Sequence, residues 1–142
     1  MIEFFVPGIA VTQGNKIAGQ RKDGTQFVRE KGGAKLNNWR SDIVKFAHIA
    51  YQGVLLDGAI ECHMIFFRER PKSHYRTGKN SHILRDDAPK YPTTKPDCTK
   101  LCRAAEDALT GVIWTDDARV INQLNAKRYG QPGVRITIKT AE

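Results

Sequence analysis

Acidic side chains are in deficit. Asp and Glu together number 15 against 23 Lys and Arg, a formal net charge of +8. That imbalance argues against a cationic partner and for an anionic one, because opposite charge raises association rate and non-specific affinity. Long apolar runs are missing too. None approaches the roughly 20 residues of a membrane-spanning helix, and no basic segment followed by an apolar one opens the chain as a secretory leader does. The expected partner is therefore nucleic acid with no membrane, and the expected compartment is the cytoplasm. Cysteine is scarce and odd in number, at Cys62, Cys98 and Cys102. Without Cys-x-x-Cys pairs or a histidine cluster these read as reduced, small core residues rather than zinc ligands. The chain also lacks internal repeats, coiled-coil heptads and the Gly-rich phosphate loops of nucleotide-binding folds.

What is present fits one domain over residues 1–142, long enough to bury about two-thirds of its unfolded surface without staples. Ile2 to Val6 alternates as a strand and stops at Pro7-Gly8. Asp23-Gly24 is a hairpin turn signal inside an arm from Lys16 to Arg29. Lys16, Arg21, Lys22 and Arg29 on that arm either grip phosphates or are simply solvated. Leu36, Trp39, Ile43, Phe46, Ala47 and Ala50 recur at helical spacing, predicting a helix over residues 34–52, with Trp39 in the core stripe and Gly53 as its stop. After Asp57-Gly58, residues 59–67 carry apolar side chains on both faces near their end, as a central strand does. Its His63 reads as a partnered strand residue and Glu61 as a distant metal-ligand candidate. Residues 118–128 read as a strand with polar interruptions. Val134, Ile136 and Ile138 alternate in a last strand. The expected fold is α/β of the α+β type: a mixed, mainly antiparallel sheet with two main helices packed on it.

Residues 68–95 show no periodicity and bring Arg68, Arg70, Lys72, Arg76, Lys79, Arg85, Lys90 and Lys95 among Pro, Ser and Gly. A segment this long without a pattern is a functional loop or a solvated one. Its position ahead of the stretch described next favours a flexible DNA-contacting loop, on which Tyr75 and Tyr91 are candidates for stacking on unpaired bases.

Residues 94–120 concentrate the chemistry. Cys98, Leu101, Cys102, Ala105, Ala108 and Leu109 form one apolar helical stripe, while Thr99, Arg103 and Glu106, with Lys100 and Asp107 beside them, form a polar one. Pro96 precedes this helix and Gly111 follows it. Asp97 lies just before the helix and Asp116-Asp117 just after the connection. Acids drawn together on a basic surface invite Mg²⁺, which takes carboxylate oxygens, keeps several waters and is completed by substrate phosphate. The same acids have ordinary structural uses, since Asp is a preferred helix N-cap and Asp-Asp is common turn composition.

Lys-Pro-Asp-x-x-Lys-Leu at Lys95, Arg-Ala-Ala-x-Asp-Ala-Leu-Thr-Gly at Arg103 and Trp-x-Asp-Asp-Ala-x-Val at Trp114 closely resemble the signature of the RusA family of Holliday junction resolvases, endonucleases of phages and prophages. The match is specific over Lys95 to Val120. The resemblance implies a small α/β homodimer that binds four-way DNA junctions in a bacterial cell and, with Mg²⁺ or Mn²⁺ in its place, nicks two strands symmetrically. Asp97 matches the family's first acid, Arg103 its helical basic residue, usually Lys, and Asp117 the second of its paired acids, with Asp116 beside it. Asp97, Asp117, Asp116 and Thr99 are thus the expected metal site. Arg103 is expected to stabilise developing charge, and Lys100, Lys95, Lys16, Arg21, Lys22, Arg70, Lys72, Arg76 and Tyr75 to contact DNA.

One departure matters. Thr99 occupies the place of the family's second opening acid. A hydroxyl can ligate Mg²⁺ but is neutral, so metal binding is expected to be weaker. A junction-binding protein with little or no cleavage is therefore the rival reading. Glu106 shares the Thr99 stripe but lies two turns away, roughly 10 Å along the axis, and ranks low as a substitute.

Overall fold

The computed structural model describes residues 1–14, 16–30 and 32–141, with the backbone alone for residues 16, 17, 29 and 30. Strands β1 (Ile2–Pro7), β4 (Ile60–Arg68), β5 (Val120–Tyr129) and β6 (Gly133–Thr140) form one sheet, and β2 (Lys16–Gln20) pairs with β3 (Gln26–Glu30) in a separate hairpin. Helices α1 (Gly33–Ala50) and α2 (Cys98–Leu109) pack on one face of the sheet and on each other.

The sheet order is β1-β6-β4-β5. The β1/β6 and β6/β4 pairs are antiparallel and β4/β5 is parallel. A parallel pair needs a long crossover, and here it carries the whole 69–119 segment, α2 included, so α2 is delivered against β4 and β5. β4 is central, as its two-faced apolarity predicts: Ile60, Cys62, Met64 and Phe66 are buried while Glu61, His63, Ile65 and Phe67 are half-buried.

The core lies between that sheet face and the helices. Phe4, Val6, Val134, Ile136 and Ile138 meet Leu36, Trp39, Ile43 and Ala47 of α1 and Leu101, Cys102, Ala105, Ala108 and Leu109 of α2. Ala104 is buried as well, because α2 touches both α1 and the sheet and so needs a wider apolar arc than a single contact face would. Cys98 is only half-buried. Trp39 is in the core.

Two boundaries differ from expectation and a third agrees. α1 ends at Ala50 because Tyr51 turns to extended backbone, two residues before Gly53. α2 ends at Leu109, where Thr110 turns to extended backbone, and Gly111 follows it as expected, at a φ of +82°, in a turn where its N–H donates to the Trp114 carbonyl at 2.7 Å. Residues 117–119 form a turn of 3₁₀ helix before β5 begins at Val120.

The 69–97 segment holds two short 3₁₀ turns, at Lys72–His74 and Gly78–Asn80, and a bridge between Tyr75 and Leu84. Several of its cations are spent internally. Arg85 Nε donates to the Ser73 carbonyl at 3.1 Å, and Arg76 pairs with Asp86 at 3.2 Å. The Lys16 and Arg29 side chains lie outside the described residues. Arg21 and Lys22 are exposed at the hairpin tip, Arg21 lying 5.3 Å from the Phe27 ring centre.

Candidate active site

A hollow of about 250 Å³ opens where α2 passes the edge strand β5, lined by Thr99, Cys102, Arg103, Glu106, Asp107, Asp117, Gln123 and Asn125. Its floor follows from register. Gln123, Asn125 and Lys127 of β5 pair with the buried Cys62, Met64 and Phe66 of β4. Neighbouring side chains across a sheet share a face, so these three face the helices. The edge strand thus presents polar groups where the other strands present core.

Each wall has its own support. Asp116 Oδ1 accepts from the Ala118 N–H at 2.9 Å and caps the 3₁₀ turn, which is the turn-forming use of an aspartate. That hydrogen bond, and another with Asp117, hold the Asp116 carboxyl below its usual range. Asp117 carries the opposite consequence. Its hydrogen bond with Asp116, then loss of hydration, then repulsion from Asp116 and Asp107 raise its carboxyl above the ordinary value. Asp107 accepts a hydrogen bond from Gln13 Nε2, while the Gln13 N–H donates to the Lys100 carbonyl at 3.1 Å. The buried Gln13 therefore clasps α2 from the chain after β1. Glu106 Oε2 accepts from Gln123 Nε2 at 2.8 Å, tying the helix to β5. Arg103 is exposed and makes no hydrogen bond or ion pair among the described residues.

Asp97 faces elsewhere. It occupies the N-cap position of α2 without making a side-chain cap. Its Oδ2 lies 3.8 Å from Lys100 Nζ, and it lines a neighbouring hollow with Thr12, Lys95, Pro96 and Lys100. The backbone leading into it is anchored from the sheet. Lys127 Nζ donates to the Thr94 and Pro96 carbonyls at 2.8 and 3.0 Å, and Arg68 Nη1 donates to the Lys95 carbonyl and, at 3.3 Å, to Thr94 Oγ1. Of the expected metal site, the hollow thus brings Thr99 and Asp117 together with Arg103. Asp116 braces Asp117 from the turn, and Asp97 stands at the helix start beside Lys100. Glu61 accepts from Asn122 Nδ2 at 3.2 Å and does not line the hollow.

Sequence reasoning set Glu106 aside and passed over Asp107, Gln123 and Asn125. Asp107 follows Arg103 by one helical turn on the polar stripe, and Gln123, Asn125 and Lys127 alternate with period two. Both signals are legible once the polar face is suspected of lining a site.

The donor set suits a hard divalent cation in one respect. Asn125 lines the hollow, and its Oδ1, an acceptor oxygen, is buried without a hydrogen-bond partner among the described residues. Cys102 supplies no soft ligand, because burial first and Glu106 second push its thiol up to about 11. No three His, Cys, Asp or Glu side chains among the described residues converge tightly enough to form a ready-made metal cage.

Among the described residues no helix is long and apolar enough to cross a membrane. No curated protein matches the sequence. The family model for endodeoxyribonuclease RusA matches residues 7–139, which takes in every strand and helix among the described residues except β1, of which it reaches only Pro7, and the last residue of β6. That match covers nearly the whole chain, and this protein therefore belongs to the RusA family of endodeoxyribonucleases, the Holliday junction resolvases.

Proposed function

We propose that the hollow between α2 and β5 is the catalytic centre of a Mg²⁺-dependent endonuclease that resolves four-way DNA junctions by paired symmetric nicks. The observation that carries this reading is the gathering of Asp117, Asp107, Glu106 and Thr99 in one hollow with Arg103 and Asn125 Oδ1, neither of which has a partner among the described residues. Asp117 is the principal ligand, with Thr99 and Asn125 as neutral oxygen donors and Asp116 as its brace. Asp97 supplies a further carboxylate once Lys100 turns to a DNA phosphate. Their ion pair is exposed on both sides, a kind worth about 0–1 kcal/mol, so exchanging it costs little. When bound, a divalent cation polarises the scissile phosphate and lowers the pKa of a coordinated water. Arg103, always charged and able to bind two phosphate oxygens, neutralises charge that builds on the phosphorus oxygens.

Lys95, Lys100 and the cations of the 69–97 segment, with Lys16, Arg21 and Lys22 on the hairpin, supply phosphate contacts that orient the junction. A two-fold homodimer presents the same centre twice, which accounts for nicks in two strands. A phage or prophage origin and action inside a bacterial cell follow from the same reading.

The rival, a junction-binding protein that cuts poorly, is favoured by the neutral Thr99 in an acid's place. Labelled synthetic four-way junctions incubated with Mg²⁺ or with EDTA separate the two. Symmetric Mg²⁺-dependent nicks that disappear in Asp97→Asn support the enzyme. Tight retention without nicks under any divalent metal supports the binder. Thr99→Asp is the companion: it raises cation affinity and cleavage, and an unchanged or lower rate would remove Thr99 from the cation's surroundings.

A further inference from the structure

A second hollow lies at the other end of β5, and its make-up is different. It encloses about 530 Å³ and is walled by Tyr75, Tyr91 and Tyr129 with Arg70, Lys90 and Arg128; Glu69 is its lone acid. The Arg70 guanidinium lies 4.3 Å from the Tyr129 ring centre, and Arg128 and Lys90 lie 5.1 and 5.5 Å from that of Tyr91. His74 meets Tyr129 edge-on at 5.4 Å. Arg70 Nη1 also donates to the Pro89 carbonyl at 2.7 Å, so its guanidinium is fixed both by stacking and by a hydrogen bond.

Three cations against one carboxylate attract an anion, and three phenol rings attract a planar group. Tyr91 is the most open of the three, 48% exposed even with Arg128 and Lys90 beside it. A ligand that carries both a flat π-face and a negative charge answers the two features together, and a nucleotide is such a ligand. Stacking of bases on aromatic rings tolerates any sequence, because every base has a π-face. Arginines already seated on rings present their remaining N–H groups with little entropy left to lose. The position agrees. Tyr129 and Asn125 lie four residues apart on β5, about 13 Å at strand spacing, which is the length of about four stacked base steps.

We propose that this hollow holds one unpaired nucleotide of the branched DNA substrate, its base stacked against Tyr91 and its phosphate on Arg70 and Arg128, while the strand continues along β5 to the acidic hollow. The proposal rests on the nuclease reading for its substrate, not for its test. Binding is measured in EDTA, where no cleavage occurs, with a blunt duplex and with a duplex bearing a short single-stranded tail that contains 2-aminopurine. The unaltered protein is expected to prefer the tailed duplex and to quench the 2-aminopurine. Tyr91→Ala is expected to lose about tenfold in affinity for the tailed duplex, within the stacking range, with under a twofold change on the blunt duplex and no quenching. Tyr91→Phe, which keeps the ring, is expected to match the unaltered protein. Arg128→Gln is expected to weaken tail binding and to lower its salt slope by about one. Equal losses on both DNAs, no loss, or quenching that persists in Tyr91→Ala overturns the proposal. A protein that discriminates the tail yet never nicks under Mg²⁺ defeats only the nuclease reading. One that nicks normally with no Tyr91 effect defeats only this subsite.

Discussion

The two hollows at either end of β5 are built by opposite means. In the acidic one the oxygen donors sit on short side chains whose positions are set by the backbone: Asp117 on a 3₁₀ turn, Thr99 and Asp107 on a helix, Asn125 on a strand. In the aromatic one the charged groups sit at the ends of long side chains held by one another, as Arg70 is on Tyr129 and Arg128 on Tyr91. On the proposed function the acidic hollow does chemistry on a phosphate, which demands placement to a fraction of an ångström, and rigid elements suit that task. Holding a base of any sequence needs area and charge, which a loop provides.

Three experiments would break or sharpen that contrast. The largest effect is expected from Asp117→Asn, which removes the charge but keeps the shape. Junction cleavage should fall at least about a hundredfold, on the scale of losing a preorganised electrostatic contact, while junction retention in a gel stays within about twofold. A parallel collapse of binding would merge the two hollows into one undifferentiated surface. An intermediate effect belongs to Lys127→Met. It touches neither hollow's reacting groups but releases the carbonyls of Thr94 and Pro96. A loss of about ten- to hundredfold in cleavage is expected, the range for residues that orient a ligand, with tail-dependent binding preserved. If tail binding fell equally, the anchoring would serve the entire loop rather than the approach to Asp97.

The smallest effect is a matter of titration. Asp117 is raised chiefly by its hydrogen bond with Asp116, and Asp116 is lowered chiefly by the Ala118 N–H. As pH falls, Asp117 therefore takes up a proton before Asp116 does. Asp116→Asn removes a charge beside it, so the Asp117 midpoint should move to lower pH. Carboxyl ¹³C shifts followed through an acid titration of the metal-free protein would show this. An unmoved midpoint would mean that the two carboxylates do not share a proton-dependent contact.

Much of the fold was readable in the residues. The stripes of Leu36, Trp39 and Ile43 and of Leu101, Cys102 and Ala105 place both helices, Asp23-Gly24 places the hairpin, and the two-faced apolarity of residues 60–67 makes β4 central. The candidate site was readable in part: Thr99, Arg103 and Asp117 line one hollow, whereas Asp97, expected beside them, lines the neighbouring one. Its other members come from partners distant in sequence. Gln13 reaches Asp107 across 94 positions and Gln123 reaches Glu106 across 17. No local pattern encodes such a meeting, because it depends on how the parallel β4/β5 crossover folds back. The polar interruptions of β5 looked like a weakened strand, whereas the register turns them into the floor of the hollow.

Arg68 and Lys127 reach from neighbouring strands to clamp the three residues through which the long crossover re-enters the domain. Insertions, deletions or wholesale rewriting upstream of that clamp stop there and leave the acids where they are. On the proposed function, the molecule could thus change which DNA shape it recognises without retuning how it cuts, a division of labour held in place by two cations gripping main-chain oxygens.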